Sequence, residues 1–287
     1  MKNLLFIIFL LSSINLTFAQ TSSFSKDQET IKQRIKKIKE CTGKILVDNT
    51  KSGTGFYVSS NGIVLTNWHV IFNKNTKIDS IGRIQNTFSF VNHKNDTIPL
   101  NIILKLSNES IVKEAVLWDY CVLKTKTEVN SNFLKLGDFS DAYEGATVYT
   151  CGFPLDLNDP FFSTGIISTL SKQTIKKGSN YTREIAWLDM TTNKGNSGGP
   201  LILLTENPEN DSVIGITSFI TTPFYSILEN LNNYITKTEK RGRTEIMGVN
   251  FLKYIKLINT TANSNSVGIS GCISIEKAKN IIGNLNK

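Results

Sequence analysis

The sequence predicts an all-β fold, a sandwich or closed barrels, with a helix near each end. Three observations carry this expectation. Short β-branched and aromatic runs, bounded by turn residues, fill most of the chain. No repeat of fixed period appears. The composition, 40% hydrophobic and 20% charged over 287 residues, is that of a globular protein, which excludes collagen-like, low-complexity and wholly disordered chains. Six prolines and four cysteines are too few for a linker protein or a disulfide scaffold.

The elements follow in order. Met1-Lys2-Asn3 precedes an unbroken apolar run from Leu4 to Leu11, and Ser12 to Ala19 closes it with small and polar residues. This pattern predicts a secretory signal peptide over residues 1–19, cut after Ala19, with an uncleaved anchor as the alternative. The run is too short for a comfortable membrane span. No other apolar stretch is long enough, so a soluble, secreted or periplasmic protein is expected. Residues 20–25 read as a tail. Ile31, Ile35 and Ile38 then line one face of a helix from Asp27 to Glu40, which Thr42-Gly43 ends.

Strands are expected at Lys44–Val47, Gly55–Val58, Ile63–Thr66, Phe88–Val91, Ile98–Leu104 and Tyr120–Lys124. A second group comprises Thr147–Cys151, Gly165–Leu170, Ile185–Met190, Leu201–Leu204 and Val213–Phe219. A last strand is expected near Val267–Ile273. Helical patches occur at Ser226–Thr236 and Ile275–Leu285. Lys and Arg number 32 against 24 Asp and Glu. The basic residues are scattered and lack interleaved aromatics, so a solvated surface is expected rather than a nucleic-acid site.

Three segments carry chemistry. Ser197 lies in Gly195-Asn196-Ser197-Gly198-Gly199, where glycine lets a carbonyl approach the main chain and lets successive N–H groups face one point. A serine hydroxyl needs a base, and the chain holds only two histidines. His93 sits in the polar turn Asn92–Asp96. His69 follows the strand Ile63–Thr66 and reads as either a core histidine or the base. Asp119 opens an apolar strand, where it serves as a strand cap or orients the imidazole.

Thr66-Asn67-Trp68-His69-Val70, Asp119-Tyr120-Cys121-Val122-Leu123-Lys124 and Gly195-Asn196-Ser197-Gly198-Gly199-Pro200 resemble the motifs of trypsin-like serine peptidases, in their HtrA/Deg-like branch. Cys151-Gly152-Phe153-Pro154, Ser163–Ser168 and Val213–Thr217 are similar too, so the resemblance runs from about Lys44 to the end. It implies two perpendicular six-stranded antiparallel β-barrels of chymotrypsin type. A domain over 44–287 would hold a first barrel at about 44–128, a second at about 133–275 and a terminal helix at 275–285. It further implies that Ser197 is the nucleophile, His69 the base, Asp119 the orienting carboxylate, and Gly195 and Ser197 the oxyanion hole. Protein or peptide substrates would follow, and no metal or other cofactor is required.

Departures sharpen the expectation. Asn196 replaces the Asp that pairs with a newly cut N-terminus in digestive relatives, so activation of that kind is not expected. No PDZ module is expected after Ala278. Asp189 lies too far before Ser197 to select Lys or Arg, and no histidine is left to select Glu. An uncharged pocket for small or medium apolar residues is the remaining expectation. Residues 218–267 read as a lid, a specificity loop or an assembly surface. Cys121, Cys151 and Cys272 read as core residues, and Cys41 shows no partner by spacing. Two alternatives stand beside the peptidase: a protease-fold binding protein with a blocked site, and a polyanion binder.

Overall fold

The computed structural model describes residues 28–73, 76–77, 79, 84–127, 132–155, 157–174, 181–220, 245–246, 249–250 and 268–285. The leader, the tail at 20–25, the helical patch at 226–236 and nearly all of the segment 218–267 lie outside the described residues. Helix α1 covers residues 28–41, matching the spacing of its isoleucines.

Residues 39–287 form one unit that contains two closed, antiparallel six-stranded barrels. The first is built from β1 (Thr42–Val47), β2 (Thr50–Tyr57), β3 (Ile63–Thr66), β4 (Phe88–Val91), β5 (Thr97–Ile102) and β6 (Cys121–Thr125), in the order β1-β2-β3-β6-β5-β4. The second is built from β7 (Thr147–Gly152), β8 (Phe161–Thr174), β9 (Thr182–Asp189), β10 (Pro200–Leu203), β11 (Ser212–Ile220) and β14 (Ile269–Ser274), in the order β10-β11-β14-β9-β8-β7. Between β11 and β14 the chain also forms the two-stranded pair β12 (Glu245–Ile246) and β13 (Val249–Asn250). This is the chymotrypsin-like architecture, and closure leaves neither barrel an open edge.

Local chemistry explains the barrel corners. Asp48 and Asn49 both adopt positive φ between the paired residues Val47 and Thr50. This is a two-residue turn of the mirror-image type, which matches strand twist and tolerates Asp and Asn. Ile45, Phe56, Val64, Leu65, Phe90 and Leu123 are fully buried in the first barrel, and Val148, Ile167, Ala186, Leu201, Ile214 and Cys272 in the second. Each large apolar side chain so buried contributes roughly 1.5–3 kcal/mol relative to exposure. All four cysteines are buried free thiols. Burial pushes the Cys151 and Cys272 thiols up to about 12, so they stay protonated at neutral pH.

Two helices besides α1 bear on the site. Trp68–Ile71 forms the single turn α2 directly after β3. Glu109–Leu117 forms α3, a helix that the strand pattern does not announce. Its N-terminus is capped by Asn108, whose side chain accepts from the N–H groups of Ser110 and Ile111. The closing helix α4 (Glu276–Leu285) buries Ala278 and Ile282, four residues apart on one face. No helix among the described residues is long and apolar enough to cross a membrane.

Candidate active site

Asp119 owes its position to the end of α3. Tyr120 N–H donates to Ala115 O at 3.0 Å and Asp119 N–H to Val116 O at 3.3 Å. Asp119 itself has φ +48°. Together these bonds form a helix-ending motif in which the left-handed position, usually glycine, is taken by Asp. The strand therefore starts two residues later than the aspartate, and Asp119 belongs to a helix-to-strand junction. Asn67, wholly buried at the end of β3, fixes this junction from the other side: its Nδ2 donates to Asp119 O at 2.8 Å.

His69 lies in α2, and its backbone N–H donates to Asp119 Oδ1 at 3.0 Å. The ring Nδ1 lies 2.8 Å from Asp119 Oδ2 and 3.0 Å from Oδ1. An ionised carboxylate only accepts, so this pairing assigns the ring proton to Nδ1 and leaves Nε2 as a proton acceptor. The Asp119 side chain is 12% exposed and that of His69 is 47% exposed. The carboxylate is thus enclosed while the imidazole faces solvent. Arg183, on β9, is pulled below its ordinary value by burial, and the Asp119 charge acts on it in the opposite direction.

Ser197 sits in the turn between β9 and β10. Its hydroxyl donates to Ser218 O at 3.3 Å, a long bond for two oxygens. Ser218 in turn donates its own hydroxyl to Asp119 Oδ2 at 2.6 Å. The fold therefore brings Ser197, Asp119 and His69 into one cluster that runs through Ser218. Among the described residues no hydrogen bond joins Ser197 directly to His69. The second histidine, His93, is exposed in its turn.

The turn before Ser197 is held by main-chain bonds. Asn196 N–H donates to Asn193 O at 3.0 Å, Gly199 N–H to Asn196 O at 2.9 Å and Gly198 N–H to Thr217 O at 2.8 Å. The N–H groups of Gly195 and Ser197 make no hydrogen bond among the described residues, which leaves both able to donate to an incoming oxyanion. Gly195 has φ +105° and Gly198 φ +89°, and a Cβ at either would overlap a neighbouring carbonyl oxygen. Asn196 is buried with its Oδ1 unpartnered. Thr192, also buried, shares a 2.6 Å hydrogen bond with Ser270, whose hydroxyl donates to Met190 O. Asp189 ends β9 with an exposed side chain.

Three polar residues of this cluster carry no role in the reading from sequence: Ser218, Asn67 and Thr54. Thr54 had a visible signal, a hydroxyl between two glycines within a strand. Asn67 lies inside the histidine motif, whereas Ser218 follows an ordinary apolar strand pattern.

The model of the trypsin-like peptidase domain matches residues 53–216, more than half of the chain, and the chain belongs to that family. Within it, the relatives are of HtrA/Deg type. A probable periplasmic serine endoprotease DegP-like of Rickettsia conorii is 27% identical over 219 residues, covering 74% of this chain and 38% of the relative. Human serine protease HTRA4 is 31% identical over 172 residues, 60% of this chain and 31% of its own. The chain thus spans less than half the length of these relatives. Among solved structures, the HtrA-type protease AlgW with tripeptide shares the fold, with TM-score 0.57 and 17% identity over 88% of this chain and 62% of that one.

Proposed function

We propose that the chain is an exported serine endopeptidase that cleaves protein or peptide substrates through Ser197, His69 and Asp119. The observation that carries the reading is the hydrogen-bonded path from His69 through Asp119 and Ser218 to Ser197, beside two N–H groups with no partner among the described residues. Ser197 Oγ attacks the scissile carbonyl as its proton passes to His69 Nε2. The carbonyl electrons move onto oxygen, where the N–H groups of Gly195 and Ser197 receive the charge. Collapse of this intermediate expels the amine, which takes the proton from His69 and leaves an acyl-serine. Water, deprotonated by His69, then attacks that ester and restores the hydroxyl. Asp119 holds the imidazole in the tautomer that accepts at Nε2 and stabilises its charged form. Loss of one oxyanion donor would cost roughly 3 kcal/mol.

Other parts of the reading rest on separate support. The leader over residues 1–19, cut after Ala19, makes the protein secreted or periplasmic, in keeping with the periplasmic relative. The peptidase domain runs over residues 44–287, and Asn196 excludes an ion pair with a new N-terminus as the activating step. The buried side chains between Met190 and Ser197 are Thr192 and Asn196, neither charged, which supports a preference for uncharged residues at the cleaved bond.

The blocked-site binding protein is favoured by one observation, the Ser197 hydroxyl turned to Ser218 rather than His69. Labelling of the purified protein with a fluorophosphonate decides between the two. The peptidase reading expects a covalent adduct on the wild type and none on Ser197→Ala. Equal labelling of both proteins, or of neither, overturns it.

A further inference from the structure

We infer that Thr54, on the barrel that carries His69, is a positioning residue for the oxyanion loop of the other barrel. The inference rests on the peptidase reading above. Thr54 is fully buried, and each of its polar groups is engaged around Ser197 or His69. Its N–H donates to Ser197 O at 2.8 Å. Its carbonyl accepts the Thr66 hydroxyl at 2.6 Å, which ties it to the end of β3, three residues before His69. Its own hydroxyl donates to Gly195 O at 2.7 Å and accepts Phe153 N–H at 3.1 Å.

The last two bonds govern where the Gly195 N–H points. A trans peptide unit is planar, with its C=O and N–H directed oppositely. Leu155 N–H donates to Lys194 O at 2.6 Å, which turns the Gly195 N–H to the far side of that plane. The next plane, which carries Gly195 O, is held by the Thr54 hydroxyl. Gly195, at φ +105°, is the swivel between the two planes, and glycine is the residue that rotates most freely about such a joint. The hydroxyl also holds Phe153, two residues before Leu155. One oxygen therefore ties together the two segments whose relative placement aims the Gly195 N–H. Without it the buried Phe153 N–H loses its partner, and the second plane keeps only the bond from Asn196 N–H to Asn193 O at 3.0 Å.

Glycines surround this contact because there is no room for more. A Cβ at Gly152 would lie 3.0 Å from Thr54 Oγ1, and one at Gly198 would overlap Thr54 O. The strand-borne threonine is thus packed closely against both Gly152 of β7 and Gly198 of the loop, as a group that sets geometry must be. Its position on the first barrel gives the second barrel's anion site a dependence on how the two barrels dock.

The test uses Thr54→Val, which exchanges the hydroxyl for a methyl of similar size, and Thr54→Ser, which keeps it. Saturation kinetics with an alkyl fluorophosphonate give a maximal inactivation rate and a half-saturating concentration. A positioning role predicts that Thr54→Val lowers the maximal rate about 10- to 100-fold. The half-saturating concentration should change less than about twofold, and Thr54→Ser should stay within about threefold of wild type. A purely structural role would lower Tm and leave the maximal rate of the folded protein unchanged, and that result overturns the inference while the peptidase reading stands. A wild-type protein that does not label overturns that reading and this inference with it. Should Thr54→Val not fold, Thr54→Ser and Thr54→Ala differ by one oxygen and give the same comparison, in which equal maximal rates overturn the inference.

Discussion

The two barrels present their parts of the cleft in different ways. His69 and Asp119 hang from regular elements of the first barrel: α2 starts directly after β3, and α3 ends in the motif that seats Asp119. Their bonds are mostly internal to that barrel, with the Asn67 amide and the His69 N–H and ring all converging on Asp119. Ser197 occupies a turn with no regular structure, and its loop is gripped by Thr54 of the first barrel through two hydrogen bonds. The base pair is prefabricated within one barrel, whereas the nucleophile's loop takes its shape from contact between two. Perturbing the interface should therefore harm the serine side first.

Breaking the prefabricated half gives the largest effect. Asp119→Asn keeps the volume of the side chain but offers an amide where His69 needs an acceptor, so the ring settles in the wrong tautomer. A loss of about 10⁴-fold in kcat is expected on a generic unfolded-protein substrate such as labelled casein. Asn tolerates the φ of +48° nearly as well as Asp, so Tm should change little. A loss below tenfold would mean that the carboxylate does not orient the base.

Breaking the assembled half should act on stability as well as rate. In Gly198→Ala the new methyl overlaps Thr54 O and the Thr66 hydroxyl, at a φ of +89° that L-residues avoid. Overpacking and backbone strain together cost about 3 kcal/mol, or a fall in Tm of about 6–12 °C for a chain of this size. The comparison is sharpened by the downfield proton NMR signal of His69 Nδ1–H, which should persist in the folded variant while labelling of Ser197 slows. Loss of that signal together with activity would show that the two halves are not separable.

The same division explains what could be read in the sequence. His69, Asp119 and Ser197 each lie in a short motif with local cues, a strand end or a run of glycines, so they were legible one by one. The strands were legible because half-buried barrels write their period into the residues, although β8 runs from Phe161 to Thr174 where only Gly165–Leu170 shows the pattern. Helix α3 was not legible as such: Asn108-Glu109 is a capping signal, but a nine-residue segment holding Ile111, Val112 and Val116 reads equally as strand. Ser218 carried no signal, and the glycines flanking Thr54 marked the residue without its role, because their partners lie 99 and 141 residues away along the chain. Barrel closure, rather than any local spacing, brings them together.

The smallest effect belongs to a part of the first barrel that takes no part in the cluster, the turn at Asp48. Its carboxylate accepts from the Lys77 ammonium at 2.8 Å, from Thr87 N–H at 2.9 Å and from the Asn86 amide at 2.9 Å. The Lys77 hydrogen bond, followed by that of Thr87, holds its pKa at about 2, below the ordinary value of 3.8. A depressed carboxylate stabilises the fold above its unfolded pKa and loses that contribution as pH falls through the folded one. The Tm difference between wild type and Asp48→Asn should therefore be steady above about pH 5, shrink from about pH 4 to 2 and vanish below. Because the turn is exposed to solvent, the difference should be small and weaken in high salt. Turnover should be unchanged, since among the described residues no hydrogen bond of Asp48 reaches the His69 pair or the loop of Ser197. A Tm gap that ignores pH across this window would trace the effect to the turn's backbone rather than to the charge.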